Sequence, residues 1–319
     1  MGVPKKEEYS MKKRMQGILF ILLAAVCISL ADRGETQAAP KRKSYTYQDF
    51  QYAYDADTEY IWITGYQGGE MVVEVPAEIS GVPVRYISYL GNAYKTAANR
   101  KITKVILPEG IEYLGGLGGC VCLREINIPD TVAEIGEYAF EDCRKLKAVE
   151  LPNGLKRIGG SAFAGCKTLK AVKLPEGLEE IGDDVFAGCS SLEKVTIPDS
   201  VTKLGSEAFE DCIGLRSVKL SKRLTEIEDM TFAGCVRLKK IELPKNVKRI
   251  GMQAFGGCKK LKTITIRGTK LKQVGKNAFT GISKSAVFYA PKKQIAKYEK
   301  LLNESESFSD STLTVKGGK

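Results

Sequence analysis

Histidine is missing from the 319-residue sequence, and this absence removes several classes of enzyme at once. Without an imidazole the chain has no Ser-His-Asp or Cys-His pair and no histidine metal ligand. Any catalysis would have to use carboxylates, lysines or thiols. No apolar run approaches the ~20 residues that a membrane-spanning helix needs. We therefore expect no transmembrane span in the mature protein.

Signatures of catalysis are also scarce. Phosphate-binding and dinucleotide-binding fingerprints do not occur in the sequence. Adjacent carboxylate pairs do occur, and three candidates within the repeats each fall in a turn-like stretch, so we expect them to face solvent rather than to line a pocket. These pairs are Glu141-Asp142, Glu179-Glu180 and Asp183-Asp184. An enzyme is the least favoured class, and the sequence predicts no catalytic residue, no metal ligand and no cofactor.

The charged residues show no long run of one sign. The chain has 49 Lys and Arg against 38 Asp and Glu, which gives a formal net charge of +11. The basic residues are spread along the chain and alternate with Asp and Glu, unlike a nucleic-acid-binding tract. This pattern predicts an ordinary solvated surface and no nucleic-acid partner. Attraction to an anionic surface is the alternative.

The N-terminal segment has the pattern of an export signal. A basic cluster at residues 12–14 precedes an apolar run over residues 18–30, which is a charged n-region followed by an h-region. Small-x-small cleavage sites end at Ala31 and Ala38, and we favour Ala38 because polar sequence follows it. Lipid attachment at Cys27 is disfavoured because the preceding valine is not small. We expect a secreted or cell-surface protein.

The strongest signal is self-similarity with a period of 23 residues. Phenylalanine, cysteine, leucine and proline all keep this step, and chance does not hold four residue types in register over so many units. The rows are Phe140, Phe163, Phe186, Phe209, Phe232 and Phe255, followed after 24 residues by Phe279; Cys120, Cys143, Cys166, Cys189, Cys212, Cys235 and Cys258; Leu123, Leu146, Leu169, Leu192, Leu215, Leu238 and Leu261; and Pro129, Pro152, Pro175, Pro198 and Pro244.

Residues 146–166 illustrate the expected fold of one unit. Alternating apolar residues over 146–151 predict a short strand, which Pro152 ends. Gly159, which recurs in most units, predicts a turn with positive φ, and Glu228 in its place predicts a strained or different turn. The Ala-Phe pair that follows predicts a short helical or 3₁₀ turn. Because one unit cannot bury its apolar face alone, stacked units are expected to form a parallel sheet along one face.

The cysteine row is the most tempting candidate for chemistry. In a stacked solenoid the thiols point the same way about 4.8 Å apart, whereas a disulfide needs converging Cβ atoms ~3.5–4.5 Å apart. No Cys-x-x-Cys pair occurs, and only one residue separates Cys120 from Cys122. Free cysteine is among the most buried residue types. We therefore expect buried structural thiols rather than a metal or redox site.

These recurring residues resemble the BspA-type leucine-rich repeats of bacterial surface and secreted proteins. The matching features are a strand that ends in Pro, then Ile-Gly, then Ala-Phe-x-x-Cys, then Leu, over about residues 102–290 and more weakly over 62–101. The resemblance implies an α/β repeat fold, namely a curved leucine-rich-repeat solenoid with a parallel β-sheet on one face and short helical or 3₁₀ turns. In some members it implies adhesion to host matrix or other proteins.

Both ends of the repeat depart from the period. Residues 47–50 and 60–64 predict strands of a small hairpin, while 286–291 predict a last repeat strand, 295–302 an amphipathic helix and 312–315 a final strand. The predicted parts are a signal peptide at 1–38, an N-terminal cap with a degenerate repeat at 39–101, the repeats at 102–285, and a C-terminal cap and tail at 286–319.

The outward positions of the predicted strands are the default binding surface of a solenoid. They are polar, small and mildly basic, and they lack the Trp, Tyr and Arg clusters of interface hot spots. The tyrosine-rich N-terminal cap is a rival contact surface. The candidate protein-binding residues are Glu125, Asn127, Glu150, Lys173, Lys194, Thr196, Lys219, Lys240 and Glu242.

The leading hypothesis is a non-catalytic, monomeric, secreted or cell-surface protein of the adhesion type. Its partner would be an extracellular protein on a host or bacterial surface. The alternative is an envelope-associated protein held electrostatically to anionic wall polymers. An extracellular enzyme is the third and least favoured class.

Overall fold

Two short strands form in each 23-residue unit, and equivalent strands of successive units stack in parallel. The computed structural model describes residues 44–90, 101–308 and 313–318. The predicted signal peptide and its alternative cleavage sites lie outside these residues. All described residues belong to one unit that begins at Ser44.

The strands, in chain order, are β1 Ser44–Tyr47, β2 Phe50–Asp55, β3 Tyr60–Tyr66, β4 Val72–Glu74, β5 Glu78–Ile79, β6 Val82–Ile87, β7 Lys104–Ile106, β8 Tyr113–Leu114, β9 Glu125–Ile126, β10 Glu134–Ile135, β11 Ala148–Glu150, β12 Arg157–Ile158, β13 Ala171–Lys173, β14 Glu180–Ile181, β15 Lys194–Thr196, β16 Lys203–Leu204, β17 Ser217–Lys219, β18 Glu226–Ile227, β19 Lys240–Leu243, β20 Arg249–Ile250, β21 Thr263–Ile266, β22 Gln273–Val274, β23 Val287–Ala290 and β24 Thr314–Gly317. The helix α1 is Ile295–Glu304, preceded by a 3₁₀ turn at Lys292–Gln294.

The first strand of each unit is the one that the leucine-proline pattern predicts. These strands form a first sheet in three parallel segments, β4-β7-β9, β11-β13-β15-β17 and β19-β21-β23-β24. Paired residues on neighbouring strands are 23 positions apart in the sequence, so Val149 lies beside Val172. Within β11 the middle residue is buried while Ala148 and Glu150 are exposed. The inward and outward positions of this strand are as predicted.

A second sheet runs through the units, and it corrects the expectation of a sheet on one face only. The two-residue strands that end in Ile158 and its equivalents pair in parallel along the order β6-β8-β10-β12-β14-β16, and β18-β20-β22 form a further segment. The isoleucine therefore contributes to a strand as well as to the core. Its backbone is extended, and stacking at the 23-residue period brings the N–H and C=O groups of neighbouring units into register.

A continuous stack of phenylalanine rings fills the space beside the two sheets. The seven rings from Phe140 to Phe279 are fully buried, and successive centroids lie 4.9 to 5.6 Å apart with interplanar angles of 4° to 16°. Each ring thus packs against its equivalents in the units before and after it. Leu117, also fully buried, takes the phenylalanine position in the first regular unit.

The segment that carries each phenylalanine is a series of turns rather than a helix. Between residues 102 and 285, all of which are described, no helical segment forms. The N–H of Phe163 instead donates to the carbonyl oxygen of Val185 in the next unit, at 2.9 Å. This bonding between units satisfies the backbone that a helix would have satisfied internally. The expected short helical or 3₁₀ turns are therefore not seen within the repeats.

The recurring glycine is required for a different reason from the one predicted. Gly159 and its equivalents do not have positive φ; the left-handed residue comes two positions later, as at Ser161 with φ of 53°. A Cβ atom on Gly159 would lie 2.6 Å from the backbone nitrogen of Glu137 and 2.8 Å from the carbonyl carbon of Gly136. The glycine therefore permits the close approach of two neighbouring units.

Both sheets are interrupted at the unit that carries Ser221 and Glu228, and the first sheet is interrupted also between β9 and β11. Within the described residues, β16 does not pair with β18, and β17 does not pair with β19. This unit carries Ser221 for proline and Glu228 for the recurring glycine. Its turn keeps the common form, with a φ of 52° at Met230, so the different turn expected at Glu228 is wrong. The departure affects the strand ladders and leaves the turn intact.

Additional strands and one helix cover the two ends of the stack. At the N-terminal end β1, β2 and β3 pair antiparallel, and β3 then pairs in parallel with β6, so these strands continue the second sheet. The expected strand at 60–64 lies within β3, whereas residues 47–50 span the turn between β1 and β2. At the other end, Tyr298 and Leu302 of α1 are buried, and the Tyr298 hydroxyl donates to the Gly268 carbonyl at 2.9 Å. The last strand and the helix form close to where they were predicted.

Replacing Phe186 by alanine tests the phenylalanine stack. The substitution removes a fully buried ring that stacks on both neighbours, so we expect the free energy of unfolding to fall by about 3–5 kcal/mol. Urea denaturation followed by circular dichroism measures the change. Thr196→Ala, on the exposed outer face of β15, is the control. A loss for Phe186→Ala no larger than that of the control would contradict the stack's contribution.

Two adjacent glycines test the close approach between units. Gly159→Ala places a Cβ against the backbone of the preceding unit, whereas the nearest atom to a Cβ on Gly160 is 3.4 Å away. We expect Gly159→Ala to destabilise the protein by about 1–3 kcal/mol, as overpacking does, and Gly160→Ala to do so by clearly less. The comparison uses urea midpoints. Equal losses would show that the glycine is not there for backbone clearance.

Candidate binding surfaces

All nine predicted binding residues lie exposed along the outer face of the first sheet. Eight of them come from six of its strands, and the ninth, Asn127, directly follows β9. Parallel pairing brings them into rows, because Lys194 lies between Ala171 and Ser217 on the neighbouring strands. The structure therefore brings the set together on one surface. Whether this surface binds a protein stays a prediction.

Three of the nine side chains already have partners within the fold. The Asn127 side-chain amide accepts from the N–H of Leu107 at 2.9 Å and donates to its carbonyl at 2.8 Å, so it takes the place of a strand bond. Glu125 pairs with Lys104 at 3.3 Å, and Glu242 pairs with Arg267 at 2.8 Å. The other six have no ion pair within the described part of the chain. Those six offer free polar groups to a partner: Glu150, Lys173, Lys194, Thr196, Lys219 and Lys240.

On the outer face of the second sheet, charged side chains of neighbouring strands form ion pairs with one another. The first residue of each strand alternates in sign from Glu134 through Arg157 and Glu180 to Lys203. Arg157 lies 3.5 Å from Glu134 and 3.7 Å from Glu180, and Lys203 lies 2.7 Å from Glu180. Cross-strand pairs of opposite charge stabilise a sheet modestly. Because these groups bind one another, this face offers few free charges to a partner.

The N-terminal end of the second sheet is aromatic. The rings of Trp62 and Tyr86 stack with centroids 4.1 Å apart, and Tyr113 lies 6.4 Å from Trp62. The guanidinium of Arg85 lies 5.3 Å from the centroid of Tyr60. Burial, with the carboxylate of Glu112 close by, raises the pKa of Tyr86 above its ordinary value. These rings pack on one another, while Tyr45, Tyr54 and Tyr89 of the same cap are exposed, so this rival surface stays a prediction.

The cysteine row is buried, as predicted. Every row member from Cys120 to Cys258 is fully buried. The thiol of Cys166 donates to the carbonyl oxygen of Phe140 at 3.1 Å, and that of Cys189 donates to Phe163 at 3.2 Å. Burial raises the pKa of Cys120 and of Cys258 to about 12. Such thiols stay protonated at neutral pH and hold the turn of one unit to the phenylalanine of the unit before.

Three carboxylates from two neighbouring units lie close together. Asp184, Glu207 and Glu210 each place an oxygen within 4.8 Å of the others. Carboxylate oxygens are the ligands that hard divalent cations prefer, although exposed acidic groups often cluster without an ion. Partial burial and the charges of Glu207 and Asp211 raise the pKa of Glu210 to about 7. Sequence reasoning assigned Asp183-Asp184 to a turn and missed the contact with the next unit.

This cluster predicts a dependence of stability on pH. The pKa of Glu210 is higher in the folded protein than in the unfolded chain, so its contribution is present at low pH and is lost as pH rises from about 4.5 to about 7. We expect Glu210→Gln to raise the urea midpoint at pH 8 and to change it little at pH 4. Glu176→Gln, at an exposed carboxylate, controls for the lost charge. Parallel pH profiles for the wild type and Glu210→Gln would refute the shift.

Charges that mix along the sequence separate in the structure. The side formed by the second strands and phenylalanine turns carries 5 basic and 14 acidic residues, over residues 132–143, 155–166, 178–189, 201–212, 224–235 and 247–258. Six loops join each cysteine to the next first strand and form what we call the basic edge. It carries 11 basic residues and 1 acidic residue, over residues 144–147, 167–170, 190–193, 213–216, 236–239 and 259–262. Charges that alternate along the sequence are therefore sorted by side, because the solenoid gathers equivalent positions of the repeat together.

Comparison with known proteins agrees with the repeat pattern. The family described as BspA type Leucine rich repeat region matches in 6 copies over residues 93–215 and 179–314. The crystal structure of a leucine-rich repeat protein from Bacteroides ovatus ATCC 8483 is similar at 23% identity, covering 85% of this chain and 76% of that chain with a TM-score of 0.57. This similarity supports the solenoid fold. No curated protein matches the chain.

Two further structures are similar at lower TM-scores. The T. pallidum leucine-rich repeat protein is 26% identical, with 81% of this chain and 96% of that chain covered and a TM-score of 0.48. The pneumococcal vaccine antigen PcpA is 18% identical, with 87% and 99% covered and a TM-score of 0.44.

The family matched by this sequence consists typically of surface or secreted proteins and is generally non-enzymatic. Among the described residues, no helix combines the length and apolar character needed to cross a membrane. The family pattern covers well over half of the sequence, and the stacked strands follow its 23-residue register. The chain belongs to the BspA-type leucine-rich repeat family.

Proposed function

We propose that this chain is a non-catalytic protein, secreted or held at the cell surface, that binds an extracellular protein through the outer face of the first sheet. The observation that supports this face is its set of exposed, unpaired polar side chains. Lys173, Lys194 and Lys219 lie on three successive strands and have no ion pair within the described residues. The second sheet, by contrast, has paired its charges internally.

The charge of this face indicates the kind of protein that it fits. Four lysines and two glutamates of the predicted set lie on it between β11 and β19, and one of those glutamates is paired. An acidic patch on the partner would complement the three free lysines near its centre. Charges of this kind contribute mainly to specificity and to the rate of association. Because aromatic anchors are absent from these positions, we expect modest affinity.

The absence of histidine and the burial of the cysteine row support a non-catalytic role. The carboxylate cluster of Asp184, Glu207 and Glu210 lies in partly buried surface turns, whereas an active site generally needs a concave pocket. A monomer with a repeated sheet surface suits recognition of another macromolecule better than it suits chemistry on a small substrate.

Capture of partner proteins by matched variants tests this function. The immobilised protein is incubated separately with host extracellular-matrix and bacterial-envelope protein fractions. The sheet variant carries Lys173→Gln, Lys194→Gln and Lys219→Gln. The control carries Lys156→Gln, Lys203→Gln and Lys248→Gln, which remove the same charge from the other side. We expect a captured protein whose apparent Kd weakens about tenfold or more in the sheet variant only.

Two outcomes would overturn the proposed function. One is that no protein is enriched from either fraction over a blank surface. The other is that every enriched protein binds the sheet variant and the wild type equally. Circular dichroism of all three proteins verifies that the substitutions leave the fold intact.

A further inference from the structure

The basic edge stacks like charges directly on one another. The N–H of Lys170 donates to the carbonyl oxygen of Lys147 at 3.1 Å, and that of Lys262 donates to Lys239 at 2.9 Å. These bonds show that equivalent loop residues of neighbouring units lie in register, about 4.8 Å apart. Like charges at such positions repel and destabilise a fold. The same spacing on the second sheet is occupied by alternating charges, so the stacking geometry does not require the repulsion.

Partners within the fold do not relieve this repulsion. All 11 basic residues of the basic edge are exposed. Only Arg144 has an ion pair within the described residues, to Asp142 at 3.1 Å, and Glu193 is the single acidic residue in the six loops. The remaining basic residues have no ion pair in the described chain. They are Lys145, Lys147, Lys167, Lys170, Arg216, Arg237, Lys239, Lys259, Lys260 and Lys262.

The charge density along the edge is high. Six stacked units extend over about 24 Å at the usual strand spacing, and five of the six loops carry the 11 basic residues, which with Glu193 leave a net charge of +10, or one positive charge per roughly 2.4 Å on average. Double-stranded DNA, which condenses counterions, carries one negative charge per ~1.7 Å. An edge of comparable density holds small anions around it. A polyanion that displaces those anions gains their release entropy.

We infer that the basic edge is a binding site for a linear anionic polymer of the bacterial cell envelope, which lies along the stacked loops and neutralises their charge. Lysine provides most of the charges, as compact, flexible point charges that follow a polymer without fixing its geometry. No aromatic side chain occurs in the six loops, so the edge has no platform for stacking nucleic-acid bases. The inference rests on the proposed location outside the cytoplasm and not on the proposed protein partner.

The two surfaces are neighbours but differ in charge pattern. Each loop of the basic edge ends at the residue before a first strand, as Lys147 precedes Ala148. On the sheet face Lys173 lies on a strand between strands that carry Glu150 and Thr196 at the same position, whereas on the basic edge like charges occupy equivalent positions, as at Lys147 and Lys170. Binding of the edge to a polymer would hold the protein at the envelope.

Sedimentation with bacterial cell walls tests the inference. The purified protein is mixed with intact walls and with walls stripped of their phosphodiester-linked polymers by hydrofluoric acid, over a range of salt concentrations. The edge variant carries Lys259→Gln, Lys260→Gln and Lys262→Gln. We expect the wild type to bind intact walls and to be released by salt. In the edge variant the Kd at 0.15 M salt should weaken about tenfold, and the slope of log K against log salt should fall by about 2 to 3.

The control for this experiment is the variant of Lys156, Lys203 and Lys248, which removes the same charge from the other side and should bind walls like the wild type. The sheet variant should keep the wild-type salt slope within about one charge. Its loss of protein capture therefore reports on the proposed function separately from wall binding.

Several results would overturn the polymer site. Equal binding to intact and stripped walls would show that the anionic polymers are not the ligand. Equal losses in the edge variant and the control would show that overall charge, and not this edge, is responsible. Binding to double-stranded DNA with none to walls would assign the edge to a nucleic acid.

Discussion

Stacking at one fixed period is the constraint on which the rest of this structure depends. Every residue of a unit lies beside its own equivalents, about 4.8 Å away. A residue type that can pack favourably against identical residues on both sides therefore recurs. A residue type that cannot do so is replaced in neighbouring units, or its repulsion is relieved by another group. Phenylalanine tolerates it by stacking rings at 4.9 to 5.6 Å, and cysteine by donating its thiol proton to a carbonyl of the preceding unit.

The same constraint explains where glycine is needed and where residues of opposite charge alternate. Gly159 faces the backbone of its own equivalent in the preceding unit, and a Cβ would collide with it. On the second sheet, Glu134, Arg157 and Glu180 alternate in sign, so each copy meets an opposite charge. On the basic edge the charged copies keep the same sign except at Glu193. That contrast within one molecule, at one spacing, is the reason to assign the edge to an external anion.

The unit from Ser221 shows what happens when the period is broken. Glu228 replaces the glycine of close approach, and the second sheet is interrupted before this unit, between β16 and β18, and the first sheet after it, between β17 and β19. The turn row nevertheless continues, since Phe209 still donates to the carbonyl oxygen of Thr231 at 2.9 Å. The phenylalanine stack and the turn ladder therefore hold neighbouring units together where the sheets do not.

The sequence by itself determined the period, the family, the first strand, the buried rows of phenylalanine and cysteine, and the helix near the C-terminus. These features follow from local patterns, because apolar alternation and recurrence are visible along the chain. Only the tertiary structure decided the second sheet, the role of Gly159, the cluster of Asp184 with Glu207 and Glu210, and the separation of charge. Each of these depends on contacts between units 23 residues apart. A sequence in which Lys and Glu alternate becomes a molecule with a basic edge and an acidic side, because stacking sorts residues by their position in the repeat rather than by their order in the chain.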